Sequence, residues 1–289
     1  MIKRFICPDG ERIATEECYK NCRMNERCSP LSYLKMVAEE REWKGIPSVT
    51  QLQNGTLESY LKLTEDYDIE PDGMAFAISG TKKHANLEEY GDNPEQYMEF
   101  LGIRGTADEI QENEDGTITL IDYKTAGSYK VAMCLGIKAE KTKIPDGYYK
   151  NGKEKTKTLT EIINVPPDWG EYQLQLNMYR LMVENTMGKK VREIRIFFVV
   201  RDGGTVVAKS RGIKQNIYYS NIPFLDDSKV IDYFTTKRDA LLSALETKVV
   251  PQICNQEERW FDRKCSDYCA VRDLCPRRNR TTEVEASEF

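Results

Sequence analysis

Two sets of four cysteines, one near each end of the chain, repeat a single spacing. Cys7, Cys18, Cys22 and Cys28 are separated by steps of 11, 4 and 6 residues. Cys254, Cys265, Cys269 and Cys275 repeat those steps, which leaves Cys134 alone in the middle. Chance repetition of three consecutive intervals is improbable, so the quartets read as copies of one ligand framework. Four thiolates per site suit Zn²⁺ or an iron–sulfur cluster. Disulfides are the competing reading, and a reducing compartment disfavours them. The run MIKRFICPDG has no signal-peptide core, and no apolar run approaches the length a bilayer requires; a cytoplasmic protein with no membrane contact is expected. Zinc ribbons use pairs of two-residue knuckles, absent here, whereas cluster-binding runs vary more in spacing. That difference favours a 4Fe–4S cluster over zinc.

Between the quartets, the stretch GTADEIQENEDGTITLIDYK, from Gly105 to Lys124, reads as two strands and a turn. The first strand carries Ile103 and Ile110 around Asp108. Glu114, Asp115 and Gly116 make the turn, and Thr117 to Tyr123 alternates apolar and polar residues. Side chains two apart on a strand share a face, so Asp122 and Lys124 point the same way, and Asp108 can face them from the neighbouring strand. Carboxylate oxygens suit Mg²⁺ or Mn²⁺, and a lysine beside them can position a water or offset charge on a phosphate. Taken alone, an Asp and a Lys flanking a Tyr are more often solvated face residues.

The surroundings decide between these readings. With 40% apolar and 31% charged residues, the chain has the makings of a packed core. Its net charge of −5 excludes a protein that coats nucleic acid indiscriminately, but not one with a local basic groove. Residues 1–45 are expected to form the first cysteine module and a helix with Leu31, Leu34 and Val37 on its apolar stripe. A core over 46–250 follows, opened by a helix that Ser48 or Thr50 caps. In GTKKH, Gly80 and Thr81 open a helix that sets His84, Leu87 and Glu88 on one face. His84 is the only histidine.

A Lys-rich insertion, 126–167, shows little periodicity; it reads either as a solvated loop or as a flap that contacts phosphates and stacks Tyr148 and Tyr149 on bases. After Pro166 and Pro167 comes an amphipathic helix with Leu174, Met178, Leu181 and Met182 on its apolar face and with Gln175 and Tyr179 one turn apart. EIRIFFVV reads as a buried strand and TVVAKSRGI as the next. Asp226 to Lys248 reads as a helix. The second cysteine module occupies 251–280, ending in Arg277, Arg278 and Arg280, and a disordered tail, 281–289, closes the chain.

In this order the pieces resemble the PD-(D/E)XK nuclease superfamily, in particular the RecB-like nucleases and the CRISPR-associated and AddB-type iron–sulfur exonucleases. The resemblance spans residues 48–275 and rests on four motifs: Gly80 and His84, Gly105 and Asp108, Asp122–Tyr123–Lys124, and Gln175 with Tyr179. It implies an α/β (α+β mixed) fold, a central mixed β-sheet flanked by helices with a restriction-endonuclease-like core and a four-cysteine module at each end. It further implies that His84, Asp108, Asp122 and the backbone carbonyl of Tyr123 hold one or two divalent ions. Lys124 would orient or deprotonate the attacking water, and Gln175 and Tyr179 would hold the lysine or the strand.

The expected activity is therefore a Mg²⁺- or Mn²⁺-dependent deoxyribonuclease, an exonuclease acting on single strands or ends of DNA in recombination, repair or CRISPR-type processing, with a helicase or recombination protein as the expected partner. Relatives in that group build one cluster from a single N-terminal cysteine and three C-terminal ones. Here the last spacing matches, the preceding one is a residue longer, and a complete N-terminal quartet is added, which favours two local sites. Two other classes remain: a catalytically silent nuclease-like module that binds DNA or serves a helicase, and a zinc-finger-type interaction protein. Intact Asp108, Asp122 and Lys124 argue against the first, and the ordered motifs against the second.

Overall fold

A computed structural model describes residues 1–24, 26–40, 42–80 and 96–277. His84 and Glu88 lie outside the described residues, as do Arg278 and Arg280. The chain is mixed α and β, with several sheets and helices, and it divides into two compact units. One comprises Met1–Lys82, Tyr97–Gly105 and Asp226–Phe289; the other comprises Lys83–Gln96 and Thr106–Leu225. Among the described residues, no helix is long and apolar enough to cross a membrane.

In the first unit, strand β1 (Ile2–Ile6) runs between β2 (Arg12–Ala14), antiparallel, and β3 (Tyr67–Ile69), parallel. Helices α1 (Thr15–Lys20) and α2 (Leu31–Val37) accompany them. Phe5, Ile13, Cys18, Leu34, Val37 and Ile69 form one buried cluster. The N-terminal cysteine module is thus built on a small sheet that its spacing did not announce. Leu34 and Val37 are buried, as their helical spacing requires.

Ser48 caps α3 (Val49–Leu52), its hydroxyl accepting from Gln51 N at 3.1 Å. Next come α4 (Thr56–Thr64) and the β4 (Gln96–Phe100) and β5 (Ile103–Ala107) pair. The long helix Asp227–Thr247 buries Val230, Phe234 and Leu241. Completely burying a side chain such as Phe234 contributes about 1.5–3 kcal/mol.

The second unit is organised on a four-stranded sheet of order β11-β10-β7-β6, formed by β6 (Glu109–Glu112), β7 (Ile118–Ala126), β10 (Val191–Val200) and β11 (Ile217–Asn221). β6 and β7 are antiparallel, with Ile110 opposite Leu120. β7 and β10 are parallel, with Asp122 beside Ile196 and Lys124 beside Phe198. Parallel neighbours need a crossover connection, and here it passes through α5 (Ser128–Cys134), the hairpin β8 (Ile137–Tyr148) and β9 (Glu154–Asn164), and α6 (Glu171–Met187).

Three local expectations are corrected. The first strand of the central hairpin is not continuous: it breaks at Asp108, between β5 and β6. The 126–167 insertion is not a loop; it holds α5 and a long antiparallel ribbon whose strands are solvated on both sides, so no alternation betrays them. TVVAKSRGI is not a strand either. Thr205 caps a short helix, α7 (Val206–Ser210), by accepting from Ala208 N at 3.1 Å, and the strand comes later as β11.

Candidate functional site

β7 carries Asp122, Tyr123 and Lys124 consecutively, so alternation puts Asp122 and Lys124 on one face and Tyr123 on the other. Asp122 is buried, and its Oδ2 lies 2.5 Å from Nζ of the half-buried Lys124. The bend at Asp108 turns that carboxylate inward, where Oδ2 accepts from the amide of Tyr123 at 2.7 Å. Asp108 therefore meets the backbone one residue from Asp122. The structure thus joins Asp108 to Tyr123 and Asp122 to Lys124 on and beside one strand.

Gln175 and Tyr179, one turn apart on α6, are both buried, and Gln175 Nε2 donates to the Tyr179 hydroxyl at 3.1 Å. The residue of α6 that meets the lysine is Tyr172, which the sequence reading passed over: its ring lies 5.5 Å from Lys124 Nζ and 4.8 Å from Lys130 Nζ. Burial, followed by the negative charge of Glu171, pushes the Tyr172 phenol well above its ordinary value, so the ring stays neutral beneath both cations. The Tyr123 phenol is likewise raised, by burial first and then by its hydrogen bond to Glu109. Tyr172 sits three residues before Gln175, a helical spacing that could have marked it.

The first unit holds the thiols. Cys254, Cys265, Cys269 and Cys275 line one cavity of about 440 Å³, together with Leu57 and Glu58 of α4. Burial pushes the Cys269 thiol up to about 11 and raises Cys254 in the same direction. Gly55 makes the close approach possible: a β-carbon there would stand 2.2 Å from Cys254 Sγ. In the N-terminal quartet, burial is the main cause of the raised Cys7 and Cys18 thiols, with smaller contributions from Cys22 and Cys28 on both and from Cys7 on Cys18. None of the nine cysteines is paired in a disulfide. Among the described residues, no group of three or more His, Cys, Asp or Glu side chains is gathered tightly enough to hold a metal ion.

Beside the C-terminal thiols stands a buried charge cluster that no motif announced. Glu58 is 4% exposed, with Lys62 Nζ 2.6 Å from Oε1 and Lys264 Nζ 2.6 Å from Oε2. Lys264 also donates to Asn54 Oδ1 at 2.8 Å, across 210 residues of sequence. Burial pushes the Glu58 carboxyl up, but Lys62 and Lys264 together outweigh it and hold the group below its ordinary value.

No family model matches the chain, and no curated protein matches it. Among solved structures, the crystal structure of SSO0001 is similar at 16% identity with a TM-score of 0.41, covering 85% of this chain and 92% of that one. That likeness is too distant to bear on function.

Proposed function

We propose that the second unit is the catalytic core of a metal-dependent DNA nuclease of the PD-(D/E)XK type, with a restriction-endonuclease-like sheet. The observation that carries the reading is the convergence at β7: Asp108 bonded to the Tyr123 amide, and Asp122 beside Lys124, on a strand running parallel to β10. Two carboxylates meet the needs of Mg²⁺ or Mn²⁺, which keep several waters and take one or two carboxylates from a protein. Asp108, Asp122 and the Tyr123 carbonyl would hold the ion, with His84 as a further ligand. When bound, such an ion lowers the pKa of a water and offsets charge on the phosphoryl oxygens.

The remaining work falls to side chains of this chain. The Lys124 side chain is partly exposed, and its ammonium would hold the attacking water and stabilise negative charge developing on the phosphodiester. The Tyr172 ring beneath it limits the directions Nζ can take. The Gln175–Tyr179 hydrogen bond stiffens the adjoining turn of α6.

The cysteine quartets are read as metal sites that stabilise the first unit. The four C-terminal thiols line one cavity, and their sequence spacing, which lacks the paired two-residue knuckles of zinc ribbons, favours an iron–sulfur cluster over zinc. The cluster would be structural, held by Cys254, Cys265, Cys269 and Cys275, with a second site at Cys7, Cys18, Cys22 and Cys28.

The test is cleavage of end-labelled single- and double-stranded DNA by anaerobically purified protein with Mg²⁺ or Mn²⁺, beside Lys124→Ala. Metal-dependent products that vanish in the variant support the proposal and give the polarity. No cleavage by the wild type, with its thiol sites filled, rejects it in favour of a DNA-binding module.

A further inference from the structure

The β8–β9 ribbon separates its charges by face. Directly opposed residues of an antiparallel pair share a face, and the register sets Lys141 opposite Thr160, Lys143 opposite Thr158 and Pro145 opposite Thr156. That face, from Ile137 to Pro145 and from Thr156 to Asn164, carries no carboxylate. The other face carries Glu140 and Glu161, an opposed pair, with Lys138 and Lys157. Its lysines are engaged: Lys138 lies 2.8 Å from Glu140, and Lys157 and Lys155 lie 3.1 and 3.5 Å from Asp146. Lys141 and Lys143 form no ion pair among the described residues, and both are exposed along with the three threonines.

A ribbon that only needed to stay dissolved would have no reason to confine its acids to one face in this way. Two unpaired ammonium groups beside three hydroxyls, on a surface cleared of acids, match a phosphate backbone in both charge and hydrogen bonding. The tip continues the pattern. Residues 147–153 include Lys150 and Lys153 and no acid, with Tyr148 75% and Tyr149 55% exposed.

The root of the ribbon is firmly mounted. Val165 N donates to the Gly136 carbonyl at 2.8 Å, and Asp168 N donates to Met133 O at 3.0 Å, so both strands are tied to the end of α5. The methyls of Ile137 and Ile162 close over Gly212, where an added β-carbon would meet them at 2.7 and 3.0 Å. Since α5 follows β7 directly, the ribbon springs from the end of the sheet at which Lys124 sits.

We propose that the Lys141–Lys143–threonine face of this ribbon grips the phosphate backbone of duplex DNA. The inference rests on the nuclease reading and deepens it by naming a double-stranded flank as part of the substrate. Duplex is favoured over single strand because the gripping face has no aromatic side chain before the tip. Proteins that hold single strands without sequence preference rely on stacking bases against such rings. Beyond the root, where Ile137 and Ile162 cover Gly212, the five residues from Lys141 to Pro145 extend about 17 Å, close to half a turn of duplex.

The experiment measures fluorescence anisotropy of a labelled duplex, and of one of its strands alone, with the full-length protein and no divalent ion, over a range of salt. Lys141→Ala with Lys143→Ala is set against Lys138→Ala with Lys157→Ala and against the conservative Lys141→Arg with Lys143→Arg. The first pair is expected to weaken duplex binding by about tenfold and to lower the log–log salt slope by about two, while the other two pairs bind as wild type. Equal effects from the two alanine pairs, no effect from either, or a loss confined to the single strand would overturn the proposal. Cleavage is scored in parallel. A salt slope that responds in a protein that cuts nothing rejects the nuclease reading and leaves the grip standing; intact cleavage with an unchanged slope rejects the grip alone.

Discussion

The amide of Tyr123 donates to Oδ2 of Asp108 at 2.7 Å, so the carboxylate that interrupts one strand is held by the backbone of the next. This link fixes Asp108 relative to Asp122 with a hydrogen bond to a charged acceptor, worth about 1.5–3 kcal/mol. Asp108→Ala is expected to lose cleavage and to destabilise the second unit by about that amount, leaving a Tyr123 amide to find water. Asp108→Asn keeps an acceptor for the amide and should recover most of the stability but none of the activity. Thermal unfolding and cleavage rates of the two variants check the split.

Breaking the pair of Lys124 with the buried Asp122 leaves a carboxylate short of its nearest cation. Lys124→Ala is therefore expected to melt lower than wild type without divalent ions, by the equivalent of about 1–3 kcal/mol, and to gain more from Mg²⁺ than wild type does. Melting curves with and without Mg²⁺ measure this; an equal gain in both proteins would argue against an ion at Asp122.

Tyr172→Leu removes the ring that Lys124 and Lys130 share. About a tenfold loss of kcat is expected, with KM little changed, while Tyr172→Phe keeps the ring and the activity. If Phe and Leu behave alike, the ring does not position the lysine.

Glu58 predicts an acid-labile first unit. Its folded pKa lies below the ordinary value of 4.5, so the unfolded state binds the proton more readily. The stability this adds is fully present above pH 4.5 and is lost as pH falls through the depressed folded value. Glu58→Gln should flatten the acid limb of a stability–pH curve, and Lys264→Ala should cost about 2–3 kcal/mol at neutral pH. Gly55→Ala, which crowds Cys254, should lower iron and sulfide content per chain before it changes the helical signal.

What could be read from the sequence follows a physical division. The β7 strand and the helix α6 announce themselves by their apolar residues, since Ile118–Asp122 and Gln175–Val183 are buried throughout, and the helix Asp227–Thr247 does so because one side of it faces a core. β8 and β9 face solvent on both sides and leave no period to find. The two valines after Thr205 look like a strand, yet the Thr205 cap and the pairing of β11 with β10 decide otherwise. Asp122 and Lys124 were legible as neighbours on a strand, and Asp108 as a carboxylate beside a hairpin. The Glu58–Lys264 cluster was not, since its members meet only through tertiary packing. Tyr172 needed the position of α6 against β10, next to β7 in the sheet, to show its part.

The central claim is that Asp108 and Asp122 hold a divalent ion that cleavage requires. The most direct measurement is a Mn²⁺ titration followed by electron paramagnetic resonance, on wild type and Asp122→Asn, with DNA cleavage recorded on the same samples. The account predicts saturable Mn²⁺ binding in the wild type that rises together with cleavage, and the loss of both in Asp122→Asn. Cleavage that persists in Asp122→Asn, or Mn²⁺ bound equally by both proteins, would contradict it.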